Sequence, residues 1–291
     1  MSYQYSFLPH KEKIVNVASV PFRSLFRYPG GKTWLVPRIR QWILSLPSTP
    51  DIFYEPFVGG GIVGLSIAFE NLAKHVTFVE LDKQVASVWK TIIYEDGEWL
   101  ANRIETFDFS LENVNEVLDR AKLNTQELAF QTIIKNRVNH GGILAPGAGK
   151  IKNGENGKGI ASRWYPETLS KRIRKIIKIR ERLTFIEGDG LNEIRRNLHE
   201  TGMVWFIDPP YTAGGKSAGS RLYTHSDLDH GELFTLCSKL SGDFLMTYSN
   251  DKTTQNLANR HEFVIQEIAM KNTHHAKMTE LLVGRNLDWL R

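Results

Sequence analysis

The sequence contains few of the residues that build disulfide frameworks, metal cages or membrane anchors. Among its 291 residues there is one cysteine, Cys237, which excludes an intramolecular disulfide and a thiolate metal cage and favours a reducing compartment. No apolar run is long enough to span a bilayer. The first residues, MSYQYSFLPHKEK, lack the basic and then apolar segments of a signal peptide, and no His or Cys spacing resembles a metal site. We therefore expect a cytoplasmic protein with no metal and no membrane partner.

The rest of the composition is that of a globular protein. Hydrophobic residues make up 41% and charged residues 24% of the chain, which excludes disordered and collagen-like proteins. The length suffices for one large domain, or for one domain with a sizeable insertion, around a buried core.

Positive charge is concentrated in one block of the chain. The formal net charge is only +5, but residues 135–182 contain thirteen Lys and Arg against three Glu, so this block carries +10 and the rest carries −5. A basic patch of this size is typical of a protein that binds a polyanion, although a solvated helix face beside a loop would give the same count. Residues 141–159 hold seven glycines, which excludes a regular helix or a central strand and predicts a long mobile loop.

Short β-branched and aromatic runs alternate with helical patterns along most of the chain. This alternation predicts an α/β fold with parallel strands, and continuous apolar runs indicate strands that are buried on both faces. From about residue 98 to residue 163 the alternation breaks, which predicts an insertion. The predicted strands are Ile52–Glu55, Val76–Glu80, Leu183–Ile186, Val204–Ile207 and Phe244–Tyr248. The predicted helices are Thr33–Leu46, Gly61–Asn71, Lys83–Tyr94, Thr125–Val138, Leu169–Arg182 and His230–Leu240.

A glycine-rich turn joins the first predicted strand to a helix. Its sequence, EPFVGGG from Glu55 to Gly61, would let the backbone turn tightly and approach a ligand at the carboxyl end of the sheet. The next strand ends in Glu80 and Asp82, and an acid at this place can accept hydrogen bonds from both ribose hydroxyls. The pattern is neither GxGxxG nor a Walker loop, so it favours another adenosine-containing cofactor over a dinucleotide or ATP. A structural turn with a surface acid is the alternative.

A second motif, Asp208-Pro209-Pro210-Tyr211, follows the predicted strand Val204–Ile207. Two prolines make a rigid, extended turn, and Pro209 has no N–H. The Pro209 carbonyl and the Asp208 carboxylate are two hydrogen-bond acceptors, and Tyr211 supplies a flat face. Two acceptors beside an aromatic ring suit a planar amino group. A proline-rich strand terminator is the alternative.

A third motif, RYPGGK from Arg27 to Lys32, precedes the first predicted helix. A Gly-Gly turn at the start of a helix can place backbone N–H groups near an anion. Arg27 and Lys32 flank this turn with positive charge. A capped loop with two solvated cations is the alternative.

Taken in this order, RYPGGK, EPFVGGG, an acid-ended strand and DPPY resemble the motifs of the Dam-type DNA adenine methyltransferases, the α group of amino-methyltransferases. The resemblance runs from about Arg27 to Leu282 and is weakest in the middle. It implies a Rossmann-like fold that binds S-adenosylmethionine, double-stranded DNA as substrate, a bacterial or phage-encoded source and an optional restriction endonuclease partner. The implied organisation is an N-terminal extension over residues 1–22, a catalytic domain over residues 23–97 and 164–291, and a target-recognition insertion over residues 98–163.

The resemblance also implies roles for individual residues. Glu80 would hold the ribose of the cofactor, or Asp82 if the register differs by two, and Asp189 would contact the adenine of the cofactor. The implied cofactor contacts are Tyr28, Lys32, Pro56, Phe57, Gly59, Gly61, Glu80, Asp189 and Asp208. The implied catalytic residues are Asp208, Pro209, Pro210 and Tyr211. The implied DNA contacts are Arg27, Asn136 and Arg137, and the charge of the insertion adds Lys150, Lys152 and Lys158.

One departure from the family concerns the target sequence. After Asn136 and Arg137 the chain does not follow the aromatic-rich recognition hairpin of GATC-specific members, so we do not assign GATC as the target.

The implied mechanism is base flipping followed by direct in-line methyl transfer to the 6-amino group of adenine. Methylation at the 5-carbon of cytosine is disfavoured because it needs a nucleophilic thiol, and Cys237 lies in the middle of a predicted helix. Two alternatives remain. Methylation of the cytosine amino group is disfavoured by Asp208, where such relatives more often have Ser. A catalytically silent nucleic-acid-binding module is disfavoured by the presence of Asp208, Tyr211 and Glu80 together.

Overall fold

Seven strands form one sheet, and helices pack against it. The computed structural model describes residues 19–28, 30–154, 157–210, 227–271 and 277–290 of the chain. In this part of the chain no helix is long and apolar enough to cross a membrane.

The sheet has the strand order β3-β2-β1-β4-β5-β7-β6. Strands β1 to β5 pair in parallel, whereas β7 runs antiparallel to both β5 and β6. The α/β fold with parallel strands is confirmed, and the sequence prediction lacked the two strands at one edge, β6 and β7. The strands are β1 (Ile52–Glu55), β2 (His75–Glu80), β3 (Leu183–Glu187), β4 (Met203–Ile207), β5 (Asp243–Ser249), β6 (Val264–Lys271) and β7 (Lys277–Gly284).

Several helices begin after side chains that cap their first N–H groups. Asp82, Asp96, Ser110, Asn124 and Asp189 each accept a hydrogen bond from a backbone N–H in the first turn of the helix that follows. In chain order the described α-helices are α1 (Val36–Ser45), α2 (Ile62–Phe69), α3 (Lys83–Ile93), α4 (Gly97–Thr106), α5 (Leu111–Asp119), α6 (Thr125–Val138), α7 (Pro166–Ile177), α8 (Gly190–Arg196), α9 (His230–Lys239) and α10 (Lys252–Arg260).

Adjacent residues of the central strands belong to different halves of the core. Phe53 and Phe206 pack into one buried cluster, and their neighbours Tyr54 and Trp205 pack into another. Because successive side chains of a strand point to opposite faces, these clusters lie on the two sides of the sheet. Strands that are covered on both faces explain the continuous apolar run in β4.

The insertion does not have a core of its own. Its buried residues, such as Leu100, Val114 and Phe130, belong to the same cluster as Phe53 and Phe206 of the sheet. Helix α4 packs against α7, and α6 packs against α3. The predicted boundaries at residues 98 and 163 therefore do not coincide with a break in the packing, and the division into domains stays a prediction.

The order of the strands creates a cleft at the centre of the sheet. The chain passes outward from β1 to β2 and β3 and then returns to β4, on the other side of β1. At such a switch point the connections leave β1 and β4 in opposite directions, which opens a crevice beyond their carboxyl ends. The segments that follow β1 and β4 are the glycine-rich turn and the DPPY motif.

Candidate active site

A cavity of ≈ 700 Å³ lies beyond the carboxyl ends of β1, β2 and β4. It brings together the three motifs, which are far apart in the sequence. Residues of the first motif that line it include Arg27, Tyr28 and Lys32. The other predicted residues that line it are Pro56, Phe57, Gly59, Gly61, Glu80, Asp189, Asp208, Pro209 and Pro210. Tyr211, the last residue of DPPY, lies outside the described residues.

The turn after β1 needs glycine at two positions. Gly59 and Gly61 have φ angles of 44° and 61°, which side chains rarely tolerate. A Cβ at Gly59 would lie 2.7 Å from Cε1 of Tyr28, and a Cβ at Gly61 would lie 2.7 Å from the Trp89 ring. The turn therefore lies against the Tyr28 ring on one side and the Trp89 ring on the other.

The Glu80 carboxylate, at the end of β2, is hydrogen-bonded to this glycine turn. It accepts a hydrogen bond from the backbone N–H of Gly59 at 2.9 Å, and from those of Leu81 and Asp82 at 3.0 Å each. Burial raises the pKa of Glu80 to about 7, although the three N–H donors act in the opposite direction. Asp82 caps α3 by accepting from the N–H of Gln84 at 2.8 Å. Of the two acids, Glu80 is the one that joins the strand end to the glycine turn.

The Asp208 carboxylate, at the end of β4, is held by two donors. Lys32 Nζ lies 3.0 Å from Asp208 Oδ1, and the Thr247 hydroxyl of β5 donates to the same oxygen at 2.6 Å. Lys32 also donates to the Gly30 carbonyl at 2.9 Å and lies 3.6 Å from Glu280 Oε2 of β7. Only 3% of the Lys32 side chain is exposed, so its charge is balanced inside the protein. The sequence resemblance implies that Lys32 contacts the cofactor, whereas the structure places its ammonium group against Asp208. No sequence pattern predicted the contacts of Thr247 and Glu280.

Glu55 is a further acid in the cavity to which sequence reasoning assigned no role. It is the first residue of EPFVGGG, it is buried, and its Oε2 accepts from the N–H of Gly64 at 2.9 Å. Burial raises its pKa well above the ordinary range, the Gly64 N–H opposes this shift, and the negative charge of Asp208 adds to it. The signal available in the sequence was an acid at the end of a strand that is otherwise apolar.

A match to a family model identifies the family of this chain. The model for D12 class N6 adenine-specific DNA methyltransferases matches residues 28–273. The chain belongs to this family. The resemblance seen in the sequence is thereby confirmed, and the enzyme is an adenine-specific DNA methyltransferase with S-adenosylmethionine as its cofactor.

The solved structures that align with the chain do so at low TM-scores and low sequence identity. An RNA methyltransferase candidate from Pyrococcus horikoshii aligns with a TM-score of 0.42 and 10% identity over 92% of each chain. An rRNA methyltransferase from Streptomyces viridochromogenes aligns with a TM-score of 0.38 and 12% identity over 89% of this chain and 86% of its own. No curated protein sequence matches the chain significantly. The family assignment therefore depends on the match over residues 28–273.

The cavity of this D12 methyltransferase fits an adenosine-containing cofactor. Its volume of ≈ 700 Å³ is in the range of small-molecule sites. The glycine turn has no side chains at its tightest points, and the Glu80 carboxylate lies beside it. Asp189 lines the same cavity and caps α8 through the N–H of Asn192 at 2.9 Å. Cys237 does not line the cavity: it lies within α9, where it is buried in the core, and burial raises the pKa of its thiol.

Asn136 and Arg137, the two predicted DNA contacts on α6, are buried. The Asn136 amide accepts from the N–H of Arg27 at 2.9 Å and donates to the carbonyls of Arg27 at 3.0 Å and of Gly142 at 2.7 Å. Arg137 donates to the Leu25 carbonyl, and burial lowers its pKa to about 9. The exposed fraction is 0% for Asn136 and 5% for Arg137. We interpret the pair as a structural connection between the insertion and the segment around the first motif, because both side chains are buried and bond to its main chain.

The three predicted lysine contacts lie on the exposed loop of the insertion. Lys150, Lys152 and Lys158 are all exposed, and none of them lines the large cavity. Lys150 Nζ donates to the Asn115 side chain at 3.0 Å. Arg27, by contrast, lines the cavity, and burial together with the charge of Arg163 lowers its pKa. Within the described residues no cluster of three or more His, Cys, Asp or Glu side chains could hold a metal ion.

Proposed function

We propose that this protein methylates the exocyclic 6-amino group of adenine in double-stranded DNA, by flipping the base out of the duplex and transferring the methyl group directly. The observation that carries the proposal is the orientation of Asp208. Its Oδ1 is engaged by Lys32 and Thr247, and these contacts leave Oδ2 to accept a hydrogen bond from a ligand in the cavity.

The proposed chemistry overcomes the poor nucleophilicity of an aromatic amine, whose lone pair is delocalised into the ring. Asp208 Oδ2 and the Pro209 carbonyl accept the two amino hydrogens and draw the nitrogen toward tetrahedral geometry. Its lone pair then points out of the ring plane and can form a bond to carbon. S-adenosylmethionine supplies a methyl group on a positively charged sulfur. The proton that the nitrogen sheds passes to the Asp208 carboxylate, whose Oδ1 lies 3.0 Å from the Lys32 ammonium group.

The remaining residues of the cavity position the two substrates. We assign Glu80 to the ribose of the cofactor, since its carboxylate stands at the end of β2 beside the Gly59–Gly61 turn. We assign Asp189 and Phe57 to the adenine end, where both line the cavity. A base inside the duplex cannot reach the cavity, so flipping is required. Tyr211 is proposed to stack on the flipped base.

A labelled methyl transfer assay tests the proposal. The wild type and the Asp208→Ala variant are incubated with labelled S-adenosylmethionine and duplex DNA of varied sequence at low salt, and the labelled base is identified after hydrolysis. We expect labelled adenine with the wild type and none with the variant, whose cofactor affinity is measured in parallel to show that the cavity is intact. Labelled cytosine, or no labelled DNA with the wild type, contradicts the proposal.

Three further expectations from the sequence stay predictions. They are the cytoplasmic location, the bacterial or phage-encoded source, and a restriction endonuclease partner. Sequencing of the methylated products would identify the recognition site.

A further inference from the structure

A second, smaller pocket lies in the insertion, beside the large cavity. Its volume is ≈ 370 Å³, and we call it the basic pocket. Its polar lining consists of His140, Lys152, Asn153, Ser162 and Arg163. None of its described lining residues is acidic. This composition attracts anions.

The loop that forms the basic pocket is folded back on helix α6. The N–H of Ile151 donates to the Val138 carbonyl at 2.7 Å, and that of His140 donates to the Gly149 carbonyl at 2.9 Å. Asn139 and Lys150 form a β-bridge between these two contacts. These contacts attach the glycine-rich segment to the end of α6. Lys152, which directly follows Ile151, lines the same pocket as His140.

Ser162 supplies a buried hydroxyl in the pocket lining. Only 3% of Ser162 is exposed, and its Oγ has no hydrogen-bond partner among the residues that the structure describes. A Cβ at Gly154 would lie 2.8 Å from this oxygen and 2.0 Å from the Gly159 carbonyl oxygen, so Gly154 packs closely beside the hydroxyl in the pocket lining. A buried hydroxyl without a partner costs about 1 to 3 kcal/mol. A phosphate oxygen is an acceptor that would satisfy it.

The basic pocket adjoins the rim of the large cavity. His140 lines the pocket, whereas Gly141 and Ile143, in the same turn, line the cavity. A Cβ at Gly142 would lie 2.0 Å from the Arg27 carbonyl oxygen, which brings this turn against the first motif. A strand of DNA that delivers a base to the cavity therefore passes the pocket with its backbone.

We propose that the basic pocket binds a backbone phosphate of the DNA, close to the flipped adenine, through Lys152, Arg163 and the Ser162 hydroxyl. The inference rests on the proposed function, since it takes DNA as the ligand. Phosphate contacts fix the register of a protein on the duplex. The pocket would thus hold the backbone while the base turns into the cavity.

The first test measures how DNA binding by the full-length protein depends on salt. Lys152→Gln combined with Arg163→Gln removes two charges from the pocket. Lys175→Gln combined with Lys178→Gln removes two exposed charges at the C-terminal end of α7 and is called the α7 variant. The binding constant K is measured with duplex DNA of random sequence. The negative slope of log K against log salt should become shallower by about 1 in the pocket variant, because each phosphate contact contributes about 0.9 to its magnitude. The α7 variant should change the slope much less. Equal slopes in the two variants overturn the proposal.

A second variant tests the hydroxyl without changing the charge. Ser162→Ala should weaken DNA binding roughly tenfold at every salt concentration and leave the slope unchanged. Its thermal unfolding is measured alongside, and a folded variant that binds DNA like the wild type overturns the role of Ser162. Binding of inorganic phosphate alone is the third measurement. If the pocket variants lose phosphate binding while their DNA slope is unchanged, the pocket binds a free anion and the assignment to DNA is wrong.

These outcomes are distinct from those of the methyl transfer assay. A wild type that methylates adenine while the pocket and α7 variants bind DNA alike refutes the pocket only. A wild type that binds DNA through the pocket and labels no adenine refutes the proposed function only. A wild type that binds no duplex refutes both.

Discussion

Thr247 offers a sharp test of how Asp208 is oriented. Its side chain is completely buried in β5 and donates to Asp208 Oδ1 at 2.6 Å, and it does not line the cavity. Thr247→Val removes the hydroxyl and keeps the branched shape. Asp208 Oδ1 then keeps Lys32 as its only donor among the described residues, and the carboxylate gains freedom to rotate.

The size of the effect follows from the hydrogen bond that is lost. A hydrogen bond to a charged group contributes about 1.5 to 3 kcal/mol. If this contribution orients Asp208 in the transition state, kcat should fall about 10- to 100-fold, since about 1.4 kcal/mol corresponds to a factor of ten. The affinity for S-adenosylmethionine should stay within about twofold of the wild type, because Thr247 does not line the cavity. The assay is single-turnover methyl transfer together with cofactor binding.

Thr254 gives a matched control for this substitution. It is also a buried threonine, only 4% exposed, and its hydroxyl donates to an aspartate, Asp251 Oδ2, at 3.1 Å. Neither Thr254 nor Asp251 lines the cavity. Thr254→Val should therefore lower stability without lowering kcat, and Thr247→Ser should keep most of the activity. A Thr247→Val enzyme with the kcat of the wild type, or one no slower than Thr254→Val, refutes the reasoning.

Three other predictions concern the cavity and its support. Because the pKa of Glu80 is raised to about 7, its carboxylate becomes neutral as the pH falls through that value, and cofactor affinity measured by calorimetry should fall with it; a flat profile between pH 6 and 8 contradicts the ribose assignment. Gly59→Ala should abolish cofactor binding. The matched control is Gly147→Ala, which should leave binding unchanged: Gly147 also has a positive φ, of 82°, but nothing lies within 4 Å of the added Cβ. Asn136→Ala should cost about 3 kcal/mol in denaturant unfolding, because three hydrogen bonds to the main chain are lost. Asn113→Ala, at a half-buried position on α5, serves as its control, and a stable Asn136→Ala that binds DNA poorly would restore the pair as a DNA contact.

Local patterns predicted the central elements well. The strand β1 and the helix α6 have the predicted ends, Ile52–Glu55 and Thr125–Val138. Short β-branched and aromatic runs and capping side chains such as Asn124, which forms a capping box with Glu127, act over a few residues, so the sequence alone can reveal them. The predicted helix Leu169–Arg182 was less accurate, because α7 ends at Ile177 and only a short 3₁₀ turn, Arg180–Arg182, follows.

The edge strands show where local patterns are insufficient. The β6 sequence, VIQEIAMK, mixes polar and apolar residues, and its partner is β7 along its whole length. Nothing local in the sequence of β7 indicated that it would pair with β5 in the antiparallel direction. Strand pairing depends on which segments meet in space, and its register is set by burial across the whole sheet.

By itself the sequence determined the α/β class, the three motifs and the adenine methyltransferase family, since each depends on residues that are neighbours in the chain. Tertiary structure decided what those residues touch. Lys32, in the first motif, and Asp208, after β4, are separated by most of the chain and meet in the cavity beyond the switch point, where Thr247 of β5 also contacts Asp208. Asn136 and Arg137 carry the polar groups expected of a DNA contact, but the packing of α6 against the first motif buries them. Burial and contact between distant segments are properties of the folded chain, and no local pattern encodes them.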